Sequence, residues 1–558
     1  MARDEASRRR IGWGGDAATR RAALGAVAAV LAAFVAAPAS AAEEPVQGGT
    51  LVYLEQQAHS NLYPPAGGFY PNGGVLNQIT DKLTYQNPET LEIEPWIAKS
   101  WTVDADATTY TFEIREGVTF SDGTPVDAAA VAKNFDTFGL GNKDLKLPVS
   151  EAVNNYARSE VLGPLTVRFH FTKPAPGFLQ ATSVIGSGLV APKTLSLPFD
   201  QLGDATRIVG SGPFVVVRET LGREIVFAAR KDYAWGPPKS SHGGRAYLDG
   251  IKLIVTPEDS VRIGALLAGQ AHVIRQIQAY DEREVEAKGF PISAPSTRGV
   301  NNSIAFRPDN PLVADLRVRR ALTLATDTRE IVDTLYSDHY PRATSVIAAT
   351  ATGYRDLSAK LAPDEAAARK LLDEAGWRVG PDGIRRKDGR ELALTAYESL
   401  PQPQNKDMLQ LVAQQWAKVG VKLSVLAGDS GSRTLDMLDP LKTGVAPVMV
   451  GRADPDVIKS QFYPKNRDAL LQKGGSSTKV QAFVDERLNG LFDAIAGEPD
   501  RAKRLRLVGE VQEYLLDQAY VIPIFEEPQA FAASPLVKGL AFEAVGRPSF
   551  YGTWLTRP

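Results

Sequence analysis

The chain has 558 residues, of which 44% are hydrophobic and 23% charged, and its formal net charge is −2. This length is too great for one ordinary hydrophobic core, so we expect two or three lobes. The near-neutral charge gives no electrostatic basis for nucleic-acid binding. Because the sequence contains no cysteine, it can form no disulfide and can carry no lipid on a cysteine.

The amino terminus has the pattern of an export signal, predicted over residues 1–42. Two arginines at 20–21 precede a run of small and apolar residues at 22–37, and cleavage is expected near Ala41 or Ala42. The arginine pair resembles a twin-arginine signal, with the Sec route as the alternative. The run is shorter than the roughly 20 apolar residues that span a membrane, which disfavours an uncleaved anchor. These features are typical of a freely soluble periplasmic protein.

The first elements after the signal are short strands. Residues 50–54 predict a strand that ends in a polar loop. The segment 110–135 combines two strands, two turns and the start of a helix. Apolar and polar residues alternate from Tyr110 to Ile114, as in a strand with one buried face, and Asp127 is placed to cap the helix. With no histidine, no serine beside a base and no carboxylate pair, this segment is predicted to be structural.

Strands and capped helices alternate along the remainder of the chain. Residues 256–259 and 327–330 both have the pattern of a capping box, the first with a proline at the first helical position. Further helices and strands are predicted over 251–255, 271–274, 364–375, 406–419, 421–426, 445–450, 500–518 and 520–525. This alternation predicts an α/β fold.

Signatures of an enzyme are weak. The stretch 428–431, Gly-Asp-Ser-Gly, is similar to the loop around a serine nucleophile, so an exported hydrolase using Ser430 is one hypothesis. A hydrolase also needs a histidine and a carboxylate brought to that serine. The five histidines have no spacing typical of a metal site, and no glycine-rich phosphate loop is present. We therefore predict no catalytic residue, no cofactor and no metal site.

A specific residue pattern runs from position 91 to 135. It consists of Pro95, Ser100-Trp101, Tyr110-Thr111-Phe112, Arg115-Glu116-Gly117-Val118 and Asp122-Gly123-Thr124-Pro125. This pattern resembles the signature region of the family 5 extracellular solute-binding proteins. Stretches similar to the family follow in family order at 209–217, 248–274, 310–336, 368–377, 512–525 and 537–540. The resemblance covers essentially the whole chain after the export signal.

The resemblance implies a two-lobed type II periplasmic-binding-protein fold, of the α/β class, with an additional inserted subdomain. The first lobe is then expected to comprise residues 43–89, 206–300 and 520–558. The inserted subdomain is expected over 90–205 and the second lobe over 301–519.

In that family a solute bridges the lobes, stabilises a closed form, and is handed to the membrane permease of an ABC importer. The resemblance implies such a role for a monomer, with a peptide-like solute as the leading expectation. A nickel chelate, an opine, an oligosaccharide or an organosulfur or organonitrogen compound is the alternative on the same scaffold. Outside this class, the exported hydrolase and a sensor partner or chaperone remain open.

Polar residues near the ends of predicted strands are candidates for ligand binding, because ligands of open α/β sheets gather there. The candidates are Asp454, Arg452, His59, Gln57, Asn302 and Tyr397. By the resemblance, Asp454 would meet the amino group of a peptide-like ligand, while a turn or helix-cap role is its alternative. Arg452 would pair with a carboxylate or phosphate. A solvated surface position is the alternative for His59, and a hydrogen bond to hinge backbone is the alternative for Asn302.

Overall fold

The computed structural model describes residues 44–240, 242–399, 404–427, 436–437, 439–464 and 483–556. The chain divides into two units, residues 1–45 and residues 46–558, and all of the described strands and helices belong to the second. The predicted export signal and Ser430 lie outside the described residues. In the described part of the chain, no helix combines the length and the apolar character needed to cross a membrane.

Strands and helices alternate along the described residues. The strands are β1 (Thr50–Glu55), β2 (Thr84–Gln86), β3 (Ile93–Pro95), β4 (Ala98–Val103), β5 (Thr109–Ile114), β6 (Tyr156–Gly163), β7 (Thr166–Phe171), β8 (Phe214–Thr220), β9 (Glu224–Ala229), β10 (Gly250–Val255), β11 (Val273–Arg275), β12 (Ile292–Ser293), β13 (Val300–Phe306), β14 (Arg378–Val379), β15 (Arg385–Lys387), β16 (Arg390–Glu391), β17 (Ala393–Tyr397), β18 (Lys422–Leu426), β19 (Val445–Val450), β20 (Val521–Phe525), β21 (Phe531–Ala533), β22 (Val537–Lys538), β23 (Ala541–Phe542), β24 (Pro548–Ser549) and β25 (Trp554–Leu555). The α-helices are α1 (Tyr70–Ile79), α2 (Ala128–Leu140), α3 (Phe178–Ala181), α4 (Asp259–Leu267), α5 (Ala279–Ala287), α6 (Leu316–Leu324), α7 (Thr328–Leu335), α8 (Glu365–Glu374), α9 (Asn405–Lys418), α10 (Lys459–Phe462), α11 (Glu486–Gly497) and α12 (Arg501–Asp517).

A seven-stranded mixed sheet has the order β12-β21-β11-β1-β10-β9-β8. Its central strand β1 runs parallel to both β10 and β11. Tyr53 and Leu54, whose side chains point to opposite faces of this strand, are both buried, as expected for a strand that is covered on both faces. The parallel arrangement brings the carboxyl ends of β1, β10 and β11 to one edge of the sheet.

A separate four-stranded antiparallel sheet, β4-β5-β7-β6, packs against α2 and α3. The predicted alternation in β5 is confirmed, because Tyr110, Phe112 and Ile114 are buried while the residues between them are half-buried. The ring of Phe178 in α3 lies 5.5 Å from that of Phe135 in α2, measured between centroids. An aromatic core therefore holds this sheet and its helices together.

The predicted cap of α2 is confirmed, since the Asp127 carboxylate accepts a hydrogen bond from the Ala130 amide at 2.8 Å. Replacing Asp127 with alanine is expected to reduce the free energy of unfolding by about 1 kcal/mol, because this amide loses its acceptor. Replacement with asparagine, which also caps helices well, should cost only a few tenths of a kcal/mol. Urea unfolding followed by circular dichroism measures both changes, and equal losses from the two variants would contradict the capping role.

A second group of elements is built around the antiparallel sheet β19-β13-β20, with the parallel pair β17-β18 beside it. Trp416 of α9 is fully buried in this core, and its indole N–H donates to the Thr326 hydroxyl at 2.9 Å. The capping box predicted at 327–330 is confirmed in part, because the Asp327 carboxylate accepts from the amides of Arg329 and Glu330.

The capping box predicted at 256–259 is wrong. Helix α4 begins at Asp259, and Glu258, which precedes it, makes no side-chain cap. The guanidinium of Arg262 instead donates to the backbone carbonyls of Thr256 and Pro257, at 2.8 Å and 2.7 Å. Arg262 therefore binds backbone carbonyls of the segment before the helix, and the local sequence pattern does not indicate this contact.

In the part of the chain that the structure describes, two segments cross between the seven-stranded sheet and the β19-β13-β20 sheet. One crossing lies between β12 and β13, and the other between β20 and β21. They pair with each other at Ser296 and Pro528, and the Thr297 amide donates to the Glu527 carbonyl at 3.0 Å. The two crossings therefore form one paired connection between the two groups of elements.

Candidate functional site

A cavity of about 450 Å³ adjoins the paired crossings. Its wall is formed by residues from the ranges 65–86, 150–152, 183–186, 275–276, 449–453, 527–529 and 543–547, with Thr297, Ser399, Ser460 and Gln461. The volume is in the range of small-molecule sites, roughly 300–1,000 Å³. Residues from both groups of elements face the same space, so a ligand in it would contact both.

A buried ion pair lies at the carboxyl ends of β1 and β11. Arg275 lines the cavity, and its Nε donates to Glu55 Oε1 at 2.7 Å and Oε2 at 2.9 Å. Both side chains are at most 3% exposed. Burial by itself lowers the pKa of Arg275. The charge of the Glu55 carboxylate and its hydrogen bond to the guanidinium are among the effects that raise this pKa, and together they outweigh burial, so the pKa lies above its usual value. The arginine therefore stays charged, and Glu55 offsets its charge.

Tyr70, at the start of α1, lies against two guanidinium groups. The guanidinium of Arg275 is 4.4 Å from its ring centroid and that of Arg547 is 5.4 Å away. Arg547 is itself paired with Glu543, at 2.7 Å from Nη1 to Oε1. Such cation–π contacts fix the tyrosine as a rigid part of the cavity wall.

Lys82 supplies another cation to the cavity. Its ammonium donates to Asn77 Oδ1 at 2.5 Å and lies 3.9 Å from Glu543 Oε2. Burial lowers the pKa of this lysine. Lys82 is therefore a buried cation of the cavity wall that lies close to Glu543.

Glu527, on the second crossing, also lines the cavity and is only 5% exposed. Its Oε2 accepts a hydrogen bond from the amide Nδ2 of Asn302 in β13. Burial raises the pKa of Glu527 to about 7, more than the Asn302 hydrogen bond and the charge of Arg275 lower it. Asn302 is therefore placed behind a cavity carboxyl, and it is not itself among the lining residues.

Arg452 and Asp454, predicted from the end of β19, contact each other. Arg452 donates to the two carboxylate oxygens of Asp454 at 2.7 Å and 2.6 Å, and to Ser460 Oγ at 3.0 Å. Arg452 lines the first cavity, whereas Asp454 lines a neighbouring cavity of about 580 Å³. The two cavities share four residues, Glu151, Ala152, Val184 and Arg452.

The other predicted binding residues lie apart from both cavities. The side chain of His59 is 4% exposed, with Nε2 3.0 Å from the Gly203 carbonyl and 3.1 Å from Glu219 Oε1. The hydroxyl of Tyr397 donates to Asp436 at 2.7 Å. Neither these two residues nor Gln57 line either of these cavities. Ligand contact by any of the six predicted residues stays a prediction.

Six charged lining residues were missed by the sequence reasoning, namely Lys82, Glu151, Arg275, Glu527, Glu543 and Arg547. The sequence could have indicated two of them, because Arg275 directly follows the strand predicted at 271–274 and Glu527 follows the strand predicted at 520–525. The rule that ligands gather at strand ends points to both. Lys82 and Arg547 lie in loops that no pattern singled out.

Comparison with known proteins places the chain in a family. The family described as bacterial extracellular solute-binding proteins, family 5, middle region, matches residues 92–466, more than half of the chain. The chain belongs to family 5 of the extracellular solute-binding proteins. Among its relatives, the glutathione-binding protein GsiB of Salmonella paratyphi A is 28% identical over 84% of this chain and 88% of that protein. Heme-binding protein A of Haemophilus influenzae is 25% identical, over 85% and 86%.

Solved structures of similar proteins agree with the fold. The oligopeptide-binding protein AppA of Bacillus subtilis superposes with a TM-score of 0.74 over 92% of this chain and all of that one, at 20% identity. NikA of Brucella suis, solved with Fe(III)-EDTA, gives 0.74 over 90% of this chain and all of that one, at 25% identity. This family 5 protein therefore has the predicted two-lobed periplasmic-binding-protein fold.

Proposed function

We propose that this solute-binding protein captures a peptide-like solute in the cavity beside the paired crossings and delivers it, chemically unchanged, to an ABC permease. The observation that carries the proposal is the charge of that cavity. Lys82 and the arginines 275, 452 and 547 supply cations, while Glu151, Glu527 and Glu543 supply carboxyl groups. A peptide carries an ammonium and a carboxylate, so it is complementary to such a wall.

The relatives support a peptide-like ligand without fixing it. The names of two similar proteins include glutathione and oligopeptide, and glutathione is itself a tripeptide with one ammonium and two carboxylates. A metal chelate or heme is the alternative solute, as the names of other similar proteins indicate. Micromolar affinity requires about −8 kcal/mol, which a few hydrogen bonds and desolvated charge pairs are able to supply.

Capture is proposed to work by hinge closure about the paired crossings, in a monomer. A solute that contacts both sides of the cavity stabilises a closed form by contacts that an open form lacks. The proposed first lobe comprises 43–89, 206–300 and 520–558, with the inserted subdomain at 90–205 and the second lobe at 301–519. An export signal at 1–42, with twin-arginine character, is proposed to take the chain to the periplasm.

The first test is native mass spectrometry of the protein purified from its own host, to find a co-purified solute. A thermal-shift screen of di- and tripeptides, glutathione, metal chelates and heme follows. A peptide at about 100 times its dissociation constant should add roughly 2.7 kcal/mol to the free energy of unfolding. Binding of chelates or heme but of no peptide would overturn the peptide proposal. Recovery of a hydrolysed peptide would overturn the transport role, and Ser430→Ala would then test the hydrolase hypothesis.

A further inference from the structure

The charged groups of the cavity differ in one respect, which is whether the protein itself neutralises them. Glu543 is paired with Arg547 at 2.7 Å and lies 3.9 Å from Lys82. Glu151 has an arginine nitrogen, Nη1 of Arg452, 3.8 Å from its Oε2. These two cavity carboxylates therefore each lie near a cation of the same wall.

Glu527 has no such ion-pair partner among the residues that the structure describes. Within the described ranges, no lysine, arginine or histidine forms an ion pair with its carboxylate, which instead accepts from the neutral amide of Asn302. The charge of Arg275 lowers the pKa of Glu527, yet the N–H groups of Arg275 donate to Glu55, Gln276 and Gln529. Glu527 is therefore a buried acceptor that faces the cavity and, in the described part of the chain, has one neutral donor, the amide of Asn302.

From this contrast we infer that Glu527 selects the solute by binding a primary ammonium group, which completes the ion pair that the protein lacks. This deepens the proposed function and rests on it. An ionised carboxylate buried without a counter-charge is costly, so a ligand ammonium in contact with Glu527 gains more than one in contact with a neutralised carboxylate. Asp454 is a weaker partner for the ammonium, because both of its oxygens already accept from Arg452.

The raised pKa of Glu527 agrees with this role. Burial places it near 7, so the ligand-free carboxyl is partly protonated at neutral pH. An ammonium beside it favours the ionised form, and binding therefore releases a proton. The other titratable groups that interact with Glu527 are the guanidinium of Arg275 and the phenols of Tyr336 and Tyr340, whose pKa values are raised by burial first and by Glu527 second. Arg275 and both phenols keep one protonation state between pH 6 and 8, so among these four groups it is Glu527 that titrates in this window.

The test compares each ligand with and without its ammonium. Tripeptides with a free amine and the same tripeptides with an acetylated amine are titrated by isothermal calorimetry into the wild type, Glu527→Gln and the control Glu92→Gln, whose side chain is exposed. Glucosamine and N-acetylglucosamine form a matched non-peptide pair. Thermal unfolding of each variant verifies that it is folded.

For the wild type and the control, the free amine is expected to bind roughly 30-fold or more tightly than the acetylated form. Glu527→Gln should abolish this preference. Affinity of the wild type for the amine should rise from pH 6 to pH 7 with proton release, a range in which the peptide ammonium, with a pKa of about 7.7–8.0, stays mostly protonated, and the variant should lose this rise.

The outcomes separate this inference from the proposed function. Tripeptides that bind the wild type equally with and without acetylation overturn the role of Glu527 and leave the peptide proposal intact. Glucosamine that binds through Glu527 while no peptide binds supports the ammonium site and overturns the peptide proposal. If neither amine class binds, both are overturned.

Discussion

Replacing Arg275 with methionine is expected to lower the free energy of unfolding by about 3–5 kcal/mol. Methionine fills a similar volume but leaves the carboxylate of Glu55 buried, with its charge no longer offset. Glu55 is 2% exposed and, within the described residues, would keep two neutral donors, the Tyr53 hydroxyl at 2.8 Å and the Gln56 amide at 2.8 Å. Urea unfolding at pH 7, followed by circular dichroism and tryptophan fluorescence, measures the loss.

Two further variants identify the cause of that loss. Lys288→Met removes an exposed ion pair with Glu284 and should hardly change the unfolding midpoint. Adding Glu55→Gln to Arg275→Met removes the uncompensated negative charge of Glu55, so the double variant should be more stable than Arg275→Met alone. A loss below about 1 kcal/mol in the single variant would mean that water or a rearranged cation reaches Glu55.

Local sequence patterns were sufficient for several elements of the fold. The alternation around Phe112 predicted β5, and Asp127 and Asp327 cap helices as their patterns required. These predictions succeed because the physical cause lies within a few residues of the effect. The capping box predicted at 256–259 is wrong although the helix forms from Asp259, and the carbonyl of Thr256 is bound by Arg262, six positions further along the chain.

The site depends on contacts that no local pattern contains. Glu527 and its partner Asn302 are separated by 225 positions, and Arg275 and Glu55 by 220. The family resemblance directed attention to the end of β19, where Arg452 and Asp454 do lie beside the cavities, but it gave no sign that they bind each other. Strand ends locate a site, whereas the pairing of charges, which decides what the site binds, requires the folded chain.

Replacing Glu527 with glutamine is expected to stabilise the ligand-free protein at pH 8, by an amount on the order of 3 kcal/mol. The folded-state pKa of Glu527 is raised to about 7 from an ordinary value of 4.5. As the pH rises above 4.5, the unfolded chain loses this proton while the folded chain keeps it, so unfolding becomes more favourable. The loss of stability grows until the pH passes 7 and is then constant. Glutamine does not ionise, so the free energy of unfolding of the variant does not fall in this way as the pH rises.

Urea unfolding of the wild type and Glu527→Gln at pH 4.5 and pH 8 measures the effect, since the difference between the two proteins should nearly vanish at the lower pH. The exposed control Glu92→Gln should behave as the wild type does at both pH values. Glutamine retains an oxygen that accepts from Asn302, so the change isolates the charge. A variant that is less stable than the wild type at pH 8 would show that the ionised carboxylate is already compensated in the ligand-free protein. In that case no unmet charge would remain for a ligand ammonium to satisfy.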